Sequence, residues 1–299
     1  MKSAYQIGQI WGIPLKIHIS LFLLLAYISL HAYFATVGAN GFLRALLVVI
    51  AVVILQISLF ASIGLHELGH SFVAIRKGCK VREITLLIIG GAAVMENIPR
   101  RPKDEFTMAI AGPAVSATLA ILFGLLSLRF PMESAETFVA AGLALFFFYL
   151  ALGNAILATF NLLPAYPMDG GRITRALLTP HLGRLRATRF AMIAGRIIAV
   201  LIALVAIRGI PPWLVPWNIP LLLIAGFVFV TGNREYRQVQ LETLLEQRGF
   251  ARHFHDAGTQ TNEPPIDDET VLISPPPYSN GPADRAHIEK LAKRHFPFI

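Results

Sequence analysis

The chain has 299 residues, of which 55% are hydrophobic and only 15% are charged, and its mean hydropathy is +0.60. Soluble domains carry about 25% charged residues, so this composition excludes an ordinary soluble protein and indicates a membrane protein. The net charge of +8 does not indicate nucleic-acid binding, because the basic residues cluster beside apolar segments, where they suit anionic lipid headgroups. The single cysteine, Cys79, excludes a disulfide within the chain.

Six segments are apolar and long enough to cross a membrane, which takes about 17–25 residues in a helix. They comprise residues 17–34, 43–75, 108–128, 138–160, 190–207 and 214–230. The second segment is longer than a hydrocarbon core of about 30 Å requires, so it must tilt or protrude. Arg196 interrupts the fifth segment and is expected to face a partner or the bundle interior. We therefore expect an all-α polytopic membrane protein with about six transmembrane helices.

Basic residues are concentrated in the connections that follow the second and fourth predicted spans, whereas the opposite connections hold few. Positively charged connections stay in the cytoplasm, so we expect a multi-pass protein of the cell membrane with both termini cytoplasmic. The concentrated basic residues are Arg76, Lys77, Lys80, Arg82, Arg100, Arg101, Lys103, Arg172, Arg175, Arg184, Arg186 and Arg189.

The character of the chain changes at Arg234. Residues 1–233 are predicted to form a transmembrane core, and residues 234–299 a cytoplasmic C-terminal tail. The tail contains proline-rich and acidic stretches, which are typical of poorly ordered segments. Within it, residues 235–248 are expected to form a short amphipathic helix that ends at Gly249.

A small membrane-associated β element is predicted between the second and third spans. Residues 84–96 are apolar and β-prone but too short to span, and Gly90 and Gly91 interrupt them in the middle. This pattern suits a re-entrant or interfacial hairpin. Two interpretations stay open: a buried packing element, or an exposed strand edge that pairs with an unwound substrate.

The most specific chemical signal is the sequence HELGH at residues 66–70, which directly follows an apolar run. Residues four apart share a helix face, so His66 and His70 can bind one Zn²⁺. Glu67 is placed to take a proton from a water molecule at the metal. The same pattern arises by chance in soluble helices, where it faces solvent at little cost. Here Glu67 is the first acidic residue of the chain and lies in a costly apolar setting, which favours a site.

Asp169 is the first candidate for a third metal ligand, since a catalytic zinc typically has three protein ligands. It is the only acidic residue between Glu136 and Glu235. Prolines and glycines surround it in NLLPAYPMDGG (161–171) and break the helix, which at membrane depth is acceptable only beside protein or a wet cavity. Two alternatives stay open: Asp169 caps the next helix, or His181 in a basic loop is the ligand.

Two asparagines lie seven residues apart on nearly one face of the fourth span. Asn154 is expected to form a hydrogen bond to a neighbouring helix, which is the usual role of an amide within the membrane. Asn161 is closer to Asp169 and could donate to the oxyanion of a tetrahedral intermediate.

With these motifs together, the chain resembles the site-2 protease family of intramembrane zinc metalloproteases over residues 3–233. GLHELGH (64–70) is similar to the first zinc motif of the family, and residues 161–171 resemble its second, Asn-x-x-Pro-x-x-Pro-x-Asp-Gly. Gly12-Ile13-Pro14 with His18 resembles the amino-terminal segment of small prokaryotic members. Gly90-Gly91 with Glu96, and then residues 111–113, resemble the membrane-associated sheet and the start of the third helix.

The resemblance implies one catalytic zinc ion held by His66, His70 and Asp169, with Glu67 as base and acid. It further implies that Asn161 assists the transition state and that Gly90 and Gly91 lie near the bound substrate strand. The sequence shows neither an inserted PDZ-like domain nor a convincing pair of CBS modules, so regulation through such domains is not carried over.

The predicted function is hydrolysis of peptide bonds in or near transmembrane segments of substrate proteins. The expected partners are a transmembrane protein substrate and membrane lipid, without nucleic acid, and a homo-oligomer is left open. One alternative is a non-proteolytic membrane scaffold or transporter that binds zinc. Another is an unrelated membrane zinc peptidase with a different third ligand.

Overall fold

A computed structural model describes residues 4–87, 90–96, 101–130, 138–208 and 219–258, of which 39–40, 138–139, 219–220 and 247–258 are described by their backbone alone. Its elements in chain order are β1 (Ala4–Ile10), β2 (Ile13–His18), α1 (Ile19–Arg76), β3 (Lys80–Leu87), β4 (Gly90–Glu96), α2 (Pro102–Leu128), α3 (Phe138–Asn161), α4 (Asp169–Leu182), α5 (Arg184–Arg208) and α6 (Ile219–Gly258).

Five helical segments in this described part of the chain are apolar and long enough to cross a membrane. The first two belong to α1, which is interrupted at Gly41, where φ is 75° and ψ is 167°. The second of these has 36 residues and is about 54 Å long at 1.5 Å per residue, so it exceeds the hydrocarbon core as expected. The five segments are Ile19–Gly38, Gly41–Arg76, Pro102–Leu128, Ala140–Asn161 and Arg184–Arg208.

The predicted sixth span, residues 214–230, begins outside the described residues. Its described part forms the start of α6. The helix expected at residues 235–248 also belongs to α6, and the prediction that it ends at Gly249 is wrong, because α6 continues to Gly258. The remaining tail, residues 259–299, lies outside the described residues. The chain divides into two compact units, Met1–Gln247 and Arg248–Ile299.

Local sequence explains where several helices begin and end. His18 precedes α1, and its side chain accepts a hydrogen bond from the Ser20 backbone N–H, as a helix N-cap does. α2 begins at Pro102, which needs no backbone N–H at that position, and acidic residues in its first turn suit the helix dipole. Gly183 has a φ of 77° and ends α4, since this conformation is favourable only for glycine.

The four strands form one mixed sheet in the order β1-β2-β3-β4. β1 and β2 are antiparallel, β2 and β3 are parallel, and β3 and β4 form an antiparallel hairpin. The hairpin predicted at residues 84–96 is present, although its first strand already begins at Lys80. The sequence analysis did not predict β1 or β2.

The outward faces of the helices carry large apolar side chains, including Leu125 (63% exposed) and Leu201 (56% exposed). In water such a surface would be unstable, whereas lipid solvates it, so the protein is a membrane protein in contact with lipid. Polar side chains meet between helices instead. Asn154 is fully buried in α3, and its amide donates to Ser62 Oγ of α1 over 3.2 Å, as predicted for an amide inside a membrane.

Candidate metal centre

Two imidazoles from α1 converge on one point. His66 and His70 lie one helical turn apart, are 3% and 8% exposed, and their Nε2 atoms are 3.2 Å from each other. The helix alone brings them together, because residues i and i+4 face the same side.

The third side chain of the cluster comes from α4. Asp169 is the first residue of that helix, and its Oδ2 lies 3.2 Å from His66 Nε2 and 3.1 Å from His70 Nε2. The three donor atoms lie within 4.8 Å of one another and could hold a metal ion. His181, the competing ligand, is exposed near the end of α4 and is not part of this cluster.

A second set of contacts orients the two rings. His70 Nδ1 lies 2.7 Å from the carbonyl oxygen of Met108, which only accepts, so Nδ1 carries the proton. His66 Nδ1 lies 2.9 Å from the hydroxyl of fully buried Ser116. Both partners belong to α2, and the sequence analysis missed them. Such contacts fix the tautomer and the direction of metal-binding imidazoles.

The donor chemistry fits a cation. With its proton on Nδ1, His70 presents a lone pair at Nε2, and the Asp169 carboxylate is itself an acceptor. Acceptors this close repel each other unless a proton or a metal ion lies between them. Two imidazole nitrogens and one carboxylate oxygen form a ligand set that zinc enzymes use, with the fourth position left for water or substrate.

The Asp169 carboxyl is ionised in this setting. Burial opposes the charged form, but protons carried by the neighbouring His66 and His70 imidazoles would form hydrogen bonds with the carboxylate and hold its pKa well below the usual range. The same residues that would bind a cation thus keep the carboxylate negative.

Close approach of α2 completes the site. A β-carbon at Gly112 would lie 2.7 Å from His66 Nε2 and 2.6 Å from His70 Cε1, which no real side chain tolerates. Gly112 therefore leaves the space in which the Nε2 atoms meet. The sequence analysis noted this glycine only as part of the third-helix resemblance.

Glu67 lies beside the cluster and faces the sheet. A β-carbon at Gly91 of β4 would fall 2.9 Å from the Glu67 carboxyl carbon, so the carboxylate packs against the strand backbone. Gly90 precedes it with a φ of 129°, a conformation that favours glycine. The structure thus places the predicted base against Gly91, one of the two predicted glycines.

The segment between α3 and α4 positions Asp169. Asn161 ends α3, and its amide donates to the Leu157 carbonyl over 3.0 Å within the same helix. The sequence analysis expected prolines and glycines together to break the helix here, but Gly170 and Gly171 lie in the first turn of α4, where they are buried and contact the segment backbone. Tyr166 in this segment is 1% exposed.

Comparisons with known proteins agree with this geometry. The sequence model of peptidase family M50 matches residues 54–205 of the 299, which include both histidines and Asp169. The chain belongs to peptidase family M50. The resemblance to site-2 proteases stated from the two motifs is therefore confirmed.

Individual known proteins match most of the chain. A zinc metalloprotease of Methanocaldococcus jannaschii is 35% identical over 246 residues, covering 82% of this chain and 64% of that protein. Stage IV sporulation protein FB of Bacillus subtilis is 28% identical over 238 residues, covering 78% of this chain and 71% of that protein. The solved structure of the site-2 protease from M. jannaschii gives a TM-score of 0.53 at 33% identity, covering 78% of this chain and 95% of that one.

The chain thus spans somewhat less than two thirds of the length of the first of these relatives. What the match establishes is the family and the membrane-embedded helical fold with a small sheet. The clustered His66, His70 and Asp169 agree with the zinc named in the relative.

We expect Gly112→Ala to abolish metal binding, because its methyl group would occupy the space between the imidazole nitrogens. Gly124→Ala on the same helix is the matched control, since a β-carbon there would meet only Ala151 at 3.9 Å, an ordinary contact. Zinc stoichiometry of the two purified variants checks this. A Gly112→Ala protein that retains one zinc ion per chain would contradict the proposed packing of α2.

Proposed function

We propose that the protein is an intramembrane zinc metalloprotease in which His66, His70 and Asp169 hold one zinc ion and Glu67 is the general base and acid. The observation that carries the proposal is the convergence of three donor atoms within 4.8 Å, with Glu67 next to His66 on the same helix. Membership of peptidase family M50 and similarity to a named zinc metalloprotease support it.

Zinc, when bound, would supply a Lewis acid that polarises a peptide carbonyl and acidifies water. Glu67 accepts the proton that water loses as its oxygen adds to the carbonyl carbon. Glu67 then delivers that proton to the amide nitrogen, so that the C–N bond breaks and a neutral amine leaves. One carboxylate thus serves both steps and returns to its starting charge.

Asn161 is proposed to assist the transition state. Its side-chain amide has two N–H donors, and one of them is engaged by the Leu157 carbonyl. That contact holds the amide in place at the end of α3, where the second N–H can donate to the oxygen that becomes negative during attack.

The proposed substrate is a transmembrane segment of another protein. A helical peptide bond is shielded by its own hydrogen bonds, so the segment must unwind before attack. β4 is the edge strand of the sheet in the described part of the chain, and Gly91 of this strand lies against Glu67. We propose that the unwound segment pairs with this edge, which would bring its backbone to Gly90, Gly91 and the catalytic carboxylate.

Glu67→Gln is expected to lower cleavage of a transmembrane reporter by at least about 10³-fold while zinc stays bound, because the amide cannot accept the proton. Asn161→Ala is expected to slow cleavage by about 10²-fold, also with zinc retained. Asp169→Asn is expected to lose zinc and activity together. Reporter cleavage and zinc content, measured on the same preparations, check all three.

His181→Asn is the control, since this residue lies outside the cluster, and it should retain both zinc and activity. Undiminished cleavage by purified Glu67→Gln would refute the role of the glutamate. Zinc binding without any cleavage by the wild-type protein would favour the scaffold or transporter alternative.

A photo-crosslinking residue at Val94 is expected to capture the substrate, because this half-exposed side chain belongs to β4. The same residue at Ile7 on β1, the opposite edge of the sheet, is the matched control. Both are introduced into Glu67→Gln protein so that substrate stays intact. Equal crosslinking at the two edges, or crosslinking at Ile7 alone, would contradict substrate binding at β4.

We also propose that both termini are cytoplasmic and that the protein resides in the cell membrane. The basic connections meet at one end of the helices, since Arg175 of α4 pairs with Glu105 at the start of α2. In a Cys79→Ser background, a membrane-impermeant thiol reagent should label Arg129→Cys in intact cells, and Arg186→Cys after permeabilisation only. The reverse labelling would overturn the orientation.

A further inference from the structure

One buried guanidinium ties the helix that carries Asp169 to two other helices. Arg175 is six residues after Asp169 on α4 and is 5% exposed. Its Nε donates to Glu105 Oε1 of α2 over 2.7 Å, and its Nη2 lies 2.5 Å from the same oxygen. Its Nη1 donates to Glu235 Oε1 of α6 over 3.1 Å.

The same guanidinium covers the segment that leads to Asp169. It lies 5.2 Å from the ring centre of Tyr166, three residues before Asp169. The backbone of Tyr166 is enclosed by α5 and α6, since β-carbons at Gly195 and Gly232 would lie 2.8 Å and 3.3 Å from its carbonyl oxygen. We call Arg175, Glu105, Glu235 and Tyr166 the Arg175 clamp. It holds the chain on both sides of Asp169.

Packing alone does not require this arrangement. Burying an ion pair costs desolvation free energy, and apolar side chains of similar volume often hold helices together as well. The ion pair also fixes the orientation of α4, because a planar guanidinium forms hydrogen bonds only in the directions of its N–H bonds. Burial raises the free energy of each charge, so moving α4 away from Glu105 would leave two uncompensated charges.

The metal site depends on a fixed position and orientation of α4. His66 and His70 are fixed relative to each other by their own helix, whereas Asp169 reaches them from a separate helix. Metal–ligand distances tolerate errors of about 0.2 Å, so the placement of α4 decides whether three ligands or two can reach one ion.

We infer that Arg175 is a positioning residue for the metal site: through Glu105 and Glu235 it holds α4 where Asp169 can share one ion with His66 and His70. The inference rests on the proposed function in one respect, that these three residues are the metal ligands. It adds that α6, through Glu235, is mechanically connected to the ligand helix.

The test compares two neighbouring acidic residues in the full-length, zinc-loaded protein. Glu105→Gln removes the charge that faces Arg175, whereas Asp104→Asn removes the adjacent pair with Lys77, whose N–O distance is 2.6 Å and which does not involve α4. Zinc affinity is measured by competition with a chelator. We expect Glu105→Gln to bind zinc about tenfold more weakly and Asp104→Asn to bind it as the wild type does.

A spectroscopic measurement separates positioning from general stability. Co²⁺ in place of zinc has a visible absorption spectrum that depends on the number and geometry of its ligands. Arg175→Lys keeps the positive charge but loses the planar set of N–H donors that contact Glu105 and Glu235. We expect weaker zinc binding and an altered Co²⁺ spectrum in the folded protein. Should Glu105→Gln fail to fold, Arg175→Lys carries the same expectation. On α6, Glu235→Gln should weaken zinc binding, while Glu242→Gln should not, because among the described residues the Glu242 carboxylate accepts a hydrogen bond only from Gln238 of the same helix.

Three outcomes are distinct. Wild-type zinc affinity and an unchanged Co²⁺ spectrum in folded Arg175→Lys and Glu105→Gln would overturn the clamp, even if both variants unfold more easily. A wild-type protein that binds zinc without cleaving the reporter would overturn the protease proposal, and the clamp would still be judged by zinc affinity. If Asp104→Asn and Glu105→Gln weaken zinc binding equally, that result would also contradict the clamp.

Discussion

The constraint on which this structure depends is the meeting of two imidazole nitrogens and one carboxylate oxygen in a buried place. The Nε2 atoms of His66 and His70 and one oxygen of Asp169 lie 3.1–3.2 Å apart. Apolar packing does not stabilise such close polar atoms, whereas a proton or a cation between them does. Every element around the centre can be understood as a support for it: α1 supplies two rings, α4 brings the carboxylate, and α2 contributes Ser116 and the Met108 carbonyl.

The helix packing follows from the membrane. Since lipid is as apolar as a leucine side chain, helices gain little from burying apolar surface and associate through close backbone contact and polar bonds instead. α2 meets α1 through Gly69, where a β-carbon would lie 2.8 Å from Val115 Cγ2, and α3 meets α1 through Asn154 and Ser62. Many large apolar residues face outward, and the small residues Gly112 and Ser116 of α2 lie against the two metal-site imidazoles.

What the sequence could predict was local. The histidine spacing, the isolated acidic residue at 169 and the glycine-interrupted hairpin are visible because each is unusual in its apolar surroundings. Long-range pairings were not visible. β2 pairs in parallel with β3 across the whole of α1, so no local pattern indicated β1 or β2. Glu105 and Arg175 are 70 residues apart in charged stretches that would normally be solvated, and only the fold makes them a buried pair.

The sheet resolves a difficulty that the membrane creates for the proposed reaction. An unwound peptide in hydrocarbon exposes backbone N–H and C=O groups, each of which costs several kcal/mol without a partner. A strand edge offers the complementary row of donors and acceptors, so pairing with β4 would replace the helical hydrogen bonds that the substrate gives up. Because Gly91 has no side chain, the Glu67 carboxylate can lie against that strand. Pairing with β4 would therefore stabilise the extended substrate and also place its peptide bond beside Glu67.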